Sequence, residues 1–173
     1  TESIYVDQNG DNIINEKDLI HYKYPDGNFN FGFSANMNYK RWSMAFVIRG
    51  EFGNYVYNNV NSNRGSYNAV GGSVKALNNL VEDYLNTSFR TPQYLSSYYV
   101  EDASFVRMDN ISLGYNFKPF YKDRIGLRAT FGVQNVFVLS GYSGLDPEIP
   151  GGIDNNFYPR PRIYSIGLNL QIK

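Results

Sequence analysis

Residues Phe29 to Tyr39 read FNFGFSANMNY, and after Lys40 and Arg41 the chain continues from Trp42 to Phe52 as WSMAFVIRGEF. Side chains of an extended segment alternate between its two faces. Phe29, Phe31, Phe33, Ala35, Met37 and Tyr39 therefore share one side, and Asn30, Gly32, Ser34, Asn36 and Asn38 the other. Trp42, Met44, Phe46, Ile48 and Phe52 repeat the apolar face, while Ser43, Arg49 and Glu51 share the opposite one. Two such runs joined by a two-residue link predict an antiparallel hairpin over residues 29–52.

Three later segments follow the same design. Ile111, Leu113, Tyr115 and Phe117 oppose Asn110, Ser112, Gly114 and Asn116. Ile125, Leu127, Ala129, Phe131 and Val133 oppose Gly126, Arg128, Thr130, Gly132 and Gln134; Tyr164, Ile166, Leu168, Leu170 and Ile172 oppose Ser165, Gly167, Asn169, Gln171 and Lys173. The expected fold class is all-β. Each run covers roughly 10 positions, the length of a tilted strand crossing a bilayer. A soluble sandwich with the apolar face turned onto a second sheet produces the same alternation. Loop lengths separate the two readings. The links at Lys40–Arg41 and Lys118–Arg124 are short, whereas those from Gly53 to about Ala103 and from Val138 to Arg162 are long. Strict alternation of short and long connections marks an up-and-down transmembrane barrel with tight periplasmic turns, and a compact soluble domain seldom holds so long an excursion. This order divides the chain into an outer loop over 1–28, a hairpin over 29–52, a long outer loop over 53–103, and three strands with their loop over 104–173.

Composition agrees. The chain of 173 residues holds 16 Tyr, 12 Phe and 16 Gly, a mixture suited to strands and tight turns. Its longest apolar run, Met44 to Ile48, is too short for a membrane-spanning helix or a signal peptide, so an exported protein would not naturally start at Thr1. Sixteen basic residues balance sixteen acidic ones, which argues against nucleic acid as a partner. The absence of Cys excludes disulfides and thiolate chemistry. Val74, Leu77, Val81, Tyr84 and Leu85 recur at helical spacing in the longest loop, predicting a short amphipathic helix that folds it over the barrel mouth.

Asp7, Asn9, Asp11, Asn15 and Asp18 occupy positions 1, 3, 5, 9 and 12 of DQNGDNIINEKD, with the Ile13 carbonyl at position 7. This is the oxygen-ligand spacing of a calcium loop. Asn12 stands where glycine usually makes the sharp turn, and Asp18 replaces the bidentate Glu. Calcium or another hard cation is one reading; an Asx-rich turn closed by its own side-chain to backbone hydrogen bonds is the other. No catalytic constellation is expected. Asp146 and Glu148 flank Pro147 in a turn, His21 is the single His with no nucleophile motif beside it, and no phosphate loop occurs. Tyr55, Tyr57, Tyr67, Tyr94, Tyr98, Tyr99, Tyr142, Phe157 and Tyr158 crowd the outer loops, as girdle or packing residues before ligand contacts.

Taken together, DQNGDNIINEKD, NYKRWSMAF, GNYVYN, YYVEDASFVRMDNISLGYNF, GVQNVFVLSGYSGLDPE and YPRPRIYSIGLNLQI resemble the C-terminal part of SusC/RagA-type TonB-dependent outer-membrane transporters of Bacteroidetes. The resemblance implies the last five or six strands of a barrel of about 22. It further implies a plug and a TonB-contacting segment upstream, a SusD-like lipoprotein as partner, outer-membrane lipid around the wall, and import of a glycan or peptide without bond chemistry. Members commonly end in an aromatic residue, where this sequence ends Gln171, Ile172, Lys173. A soluble, calcium-stabilised β-sandwich that binds carbohydrate through loop aromatics is the alternative. A dockerin-type module is a third reading that the single loop disfavours.

Overall fold

A computed structural model describes residues 4–71, 79–120 and 124–172. Its strands are β1 (Phe29–Tyr39), β2 (Trp42–Phe52), β3 (Tyr55–Tyr57), β4 (Val100–Asp102), β5 (Phe105–Asn116), β6 (Ile125–Ser140) and β7 (Ile163–Ile172), with short helices α1 (Asn59–Arg64) and α2 (Tyr84–Thr87). The chain divides into two compact units. One comprises residues 28–52, 104–141 and 159–173; the other comprises residues 1–27, 53–103 and 142–158.

The first unit is an antiparallel five-stranded sheet ordered β1-β2-β5-β6-β7. β1 and β2 match the sequence expectation to the residue, their register running from Phe29 opposite Phe52 to Tyr39 opposite Trp42. Lys40 makes the tight turn at φ 54°. β5 begins five residues earlier than the alternation indicates, and β6 runs six residues longer. The reason is a slip of phase. Asp109 is an extra residue against β2, between the partners of Val47 and Ile48, so Met108 and Val106 stay on the face that Ile111, Leu113 and Tyr115 occupy. β6 bulges at the same level, with Asn135 at φ 52°. On β5 the period-two reading stops where the bulge inverts parity; β6 keeps its parity, with Phe137 and Leu139 on the face of Val133, and is interrupted at Asn135.

The second unit has its own small core of Val56, Ala103, Tyr142 and Ile149. β3 pairs with β4, and Tyr57 bridges to Ile153. The Asn58 side chain caps α1 by accepting from the Asn61 N–H at 2.9 Å. The amphipathic helix expected over residues 74–85 is corrected in the part that is described. Only Tyr84–Thr87 is helical, residues 79–83 are not, and Leu85 is 77% exposed. Val74 and Leu77 lie outside the described residues.

Candidate functional site

The five strands set two chemically opposed faces side by side. In register across the sheet, Met37, Met44, Leu113, Phe131 and Ile166 form one apolar row, and Ala35, Phe46, Ile111, Val133 and Tyr164 the next. Among the described residues of this unit, none covers them. Phe33 is 55% exposed, Ile166 80% and Leu168 73%, and of the described large side chains on this face only Val133 is buried. In a sandwich these side chains would be the core, so the covered face that reading requires is absent among the described residues. Gly50 lets the Phe31 ring lie over β2, since a Cβ there would strike that ring and the Phe105 carbonyl. Phe29, Phe31 and Phe52 stack with centroids 6.1–6.4 Å apart at this end of the hairpin.

The opposite face is polar. Arg128 lies over Gly114 and donates to the Ser43 hydroxyl at 2.8 Å, while Thr130 and Ser165 donate to the carbonyls of Gly167 and Gly132. At the bulge Asp109 turns back to Arg49, its Oδ2 accepting from Nε at 2.7 Å. The eleven residues of β1 span ten steps of about 3.4 Å, which tilted by about 40° rise roughly 26 Å and match the apolar band of about 25 Å on outer-membrane barrels.

The second unit gathers the remaining sequence candidates. In the Asp7–Asp18 loop, Asp7 accepts from the N–H groups of Gly10 and Asn12, and Asp11 from Ile13. Asn9 accepts from Asp11 and Asn15 from Lys17, while Asp18 closes the loop on Gln8, Asn9 and Asn15. The backbone N–H groups of Asn15 and Gln8 hold the Asp18 carboxyl below the usual carboxylate range. Asn12 sits at φ 62°, the left-handed turn expected of that position. The Ile13 carbonyl accepts from the Asn15 amide. The oxygen donors are of the type a hard cation takes, and here they accept from the loop's own N–H groups. Among the described residues, however, no three His, Asp or Glu side chains converge as a metal cage.

Several loop aromatics serve the unit's own packing. Tyr99 is buried, and that burial, with the charge of Asp83, pushes its hydroxyl up to about 12. Burial and the hydrogen bond to Asp154 push Tyr142 higher still. Tyr57 donates to Ser62 and accepts from the Leu95 N–H. Tyr67, Tyr94, Phe157 and Tyr158 are exposed by 52–85%. His21 is exposed, and the Asp146 carboxylate accepts from the Glu148 N–H in a turn. A network the sequence did not signal centres on Glu101, which accepts from Asn58 and from both the N–H and hydroxyl of Ser143. Its partners lie about 40 residues away on either side, beyond any local motif.

No family model matches the chain. It is 38% identical, over 98% of its length, to the TonB-dependent receptor SusC of Bacteroides thetaiotaomicron. Two TonB-dependent receptors of Formosa agariphila are 27% identical over 97% of it and 28% over 96%. Among solved structures, the RagAB peptide transporter superposes with a TM-score of 0.67 at 24% identity, covering 86% of this chain and 17% of that one. The RagAB peptide importer in its open-open state superposes at 0.64 and 23%, covering 83% of this chain and 17% of that one. An uncovered apolar face backed by a polar one, in this topology, is a segment of a transmembrane β-barrel wall. The chain belongs with the SusC/RagA-type TonB-dependent receptors. It spans 18–19% of the length of the curated relatives it matches.

Proposed function

We propose that this chain forms part of the wall and outer loops of an outer-membrane nutrient importer driven through TonB. The uncovered apolar face carries the reading: exposed rings and aliphatic chains over a strand length that fits a bilayer are stable against hydrocarbon and unfavourable against water. The relatives named as TonB-dependent receptors, and the neighbours named as a peptide transporter, support the same role. The polar face, with Asn36, Asn38, Ser43, Arg128 and Thr130, suits a hydrated lumen and does no bond chemistry. The partner is a SusD-like lipoprotein at the outer loops, and the cargo a glycan or a peptide. TonB acts through regions outside this segment.

The test is flotation of the full-length protein with outer-membrane vesicles, followed by growth of a deletion strain on defined glycans and on peptides. Recovery in the membrane fraction, with growth lost on one nutrient class, is the expected result. A native protein found free in the soluble fraction would refute the reading. The Asp7–Asp18 loop is proposed to take a hard cation such as calcium, which requires its carboxylates to turn inward. Calorimetric titration of the full-length protein with calcium should show heat that Asp7→Asn with Asp11→Asn abolishes, and no heat would leave the loop as a self-closed Asx turn.

A further inference from the structure

The sheet end that carries the two short turns differs chemically from the rest of the wall. Where β1 and β2 meet at this end the apolar row is aromatic: Tyr39, Trp42 and Tyr115 stand in register, with the Trp42 and Tyr115 centroids 4.6 Å apart. These three rings and the side chains of Lys40 and Arg41 line one shallow open cleft of about 600 Å³. The site is held firmly. The Arg41 carbonyl accepts from the Asn116 N–H at 2.9 Å, and the Lys40 ammonium sits 5.1 Å from the centre of the Tyr39 ring. Neither Lys40 nor Arg41 forms an ion pair with a described residue.

Although the whole chain has zero net charge, its charge is segregated. The two short links hold Lys40, Arg41, Lys118, Lys122 and Arg124 against the single acid Asp123, whereas residues 1–28 carry six acids against two bases. Two cations flanked by amphipathic rings, at the margin of an uncovered apolar face, complement one chemistry: a phosphate attached to hydrocarbon chains. A guanidinium offers a two-pronged donor to phosphate oxygens, and an ammonium adds a point charge. An acidic protein segment would satisfy the charges but would leave the adjoining apolar face unused.

We propose that this cleft seats the headgroup of an anionic phospholipid, with its phosphate between Lys40 and Arg41 and its acyl chains along the face that continues through Met44 and Leu113. The proposal rests on the membrane-embedded reading above. The test reconstitutes the full-length protein into vesicles of equal phosphatidylglycerol and phosphatidylcholine, then counts retained lipids by native mass spectrometry. Each cation near an anionic surface is worth about fivefold, so wild type should retain phosphatidylglycerol roughly thirtyfold over the Lys40→Gln, Arg41→Gln double variant. Lys17→Gln, in the acidic segment, should match wild type. Heat-modifiable migration on gels shows separately that each variant has formed its barrel. Equal retention by the double variant, equal retention of phosphatidylcholine, or displacement by millimolar inorganic phosphate would each overturn the lipid site while leaving the importer intact. Failure of the wild type to enter vesicles would overturn both.

Discussion

Placing an arginine at Ile166 isolates the lipid contribution better than any other position in the sheet. Ile166 lies near the middle of β7 and is 80% exposed, so its replacement removes little protein packing. Any cost must come from what surrounds the wall. Arginine at the bilayer midplane of a barrel costs about 2–4 kcal/mol, falling to about 0–1 near the interfaces. Ile166 sits one or two residues from the centre of β7, so a cost of about 3 kcal/mol is expected, roughly a hundredfold in the folding equilibrium. The neighbouring Ser165 faces the other way, opposite Gly132, and is exposed on the polar face. Ser165→Arg should therefore change stability by less than about 1 kcal/mol. Both variants of the full-length protein would be unfolded with denaturant from phospholipid vesicles and followed by tryptophan emission and gel migration. If Ile166→Arg proved as stable as Ser165→Arg, or more so, the apolar face would be meeting water and the assignment of faces would be wrong.

Other outcomes follow from the loop unit and the bulge. Removing the Tyr142 hydroxyl strips the 2.8 Å donor from Asp154, which is 4% exposed; Tyr142→Phe should cost about 1–3 kcal/mol, seen as faster amide exchange over residues 142–158 with strand amides unchanged. Tyr99 keeps its proton to about 12, whereas a tyrosine in an unfolded chain releases it near 10. Its stabilising effect is thus intact below pH of about 10 and fades as pH climbs towards 12, which absorbance at alkaline pH should record as late ionisation coincident with loosening of this unit. Asp109→Asn breaks an ion pair whose side chains are 29–31% exposed, so melting should fall by less than about 1 kcal/mol equivalent; a larger loss would mean that the pair is shielded from solvent in the assembled barrel.

What could be read from the sequence divides along the range of the interactions. Strand periodicity is local, and in FNFGFSANMNY and WSMAFVIRGEF nothing interrupts it, so both ends of β1 and β2 were legible. In FVRMDNISLGYN the apolar positions move from even to odd numbers across Asp109, and only the pairing with Val47 and Ile48 shows this to be a bulge within one strand. The loop unit was legible only in fragments. The Asx pattern of residues 7–18 is local and appears as hydrogen bonds, whereas the core of Val56, Ala103, Tyr142 and Ile149 joins residues that no short window connects. Helical spacing at Val81, Tyr84 and Leu85 misled because residues 79–83 lie outside the helix and Leu85 is exposed, so the three share no buried helical face; α2 itself is one turn, closed by Ser88 at φ 52°.

The two units are stabilised by different physics, and that difference constrains how the protein can exist. The loop unit buries Tyr99 and Val56 to 2% exposure or less and satisfies Asn58, Glu101 and Asp154 internally, as a water-soluble body does. The sheet buries almost none of its apolar face, and among the described residues one edge of β1 and one edge of β7 have no paired strand. In water, net hydrogen-bond energies of about 1 kcal/mol each would have to hold such a sheet without help from apolar burial. In hydrocarbon the balance reverses: the apolar face is solvated, but each unpaired backbone group then costs several kcal/mol, so the open edges become intolerable unless further strands pair with them. The sheet therefore needs further strands at its edges and an apolar surround that the described residues do not supply, whereas the loop unit has a core of its own.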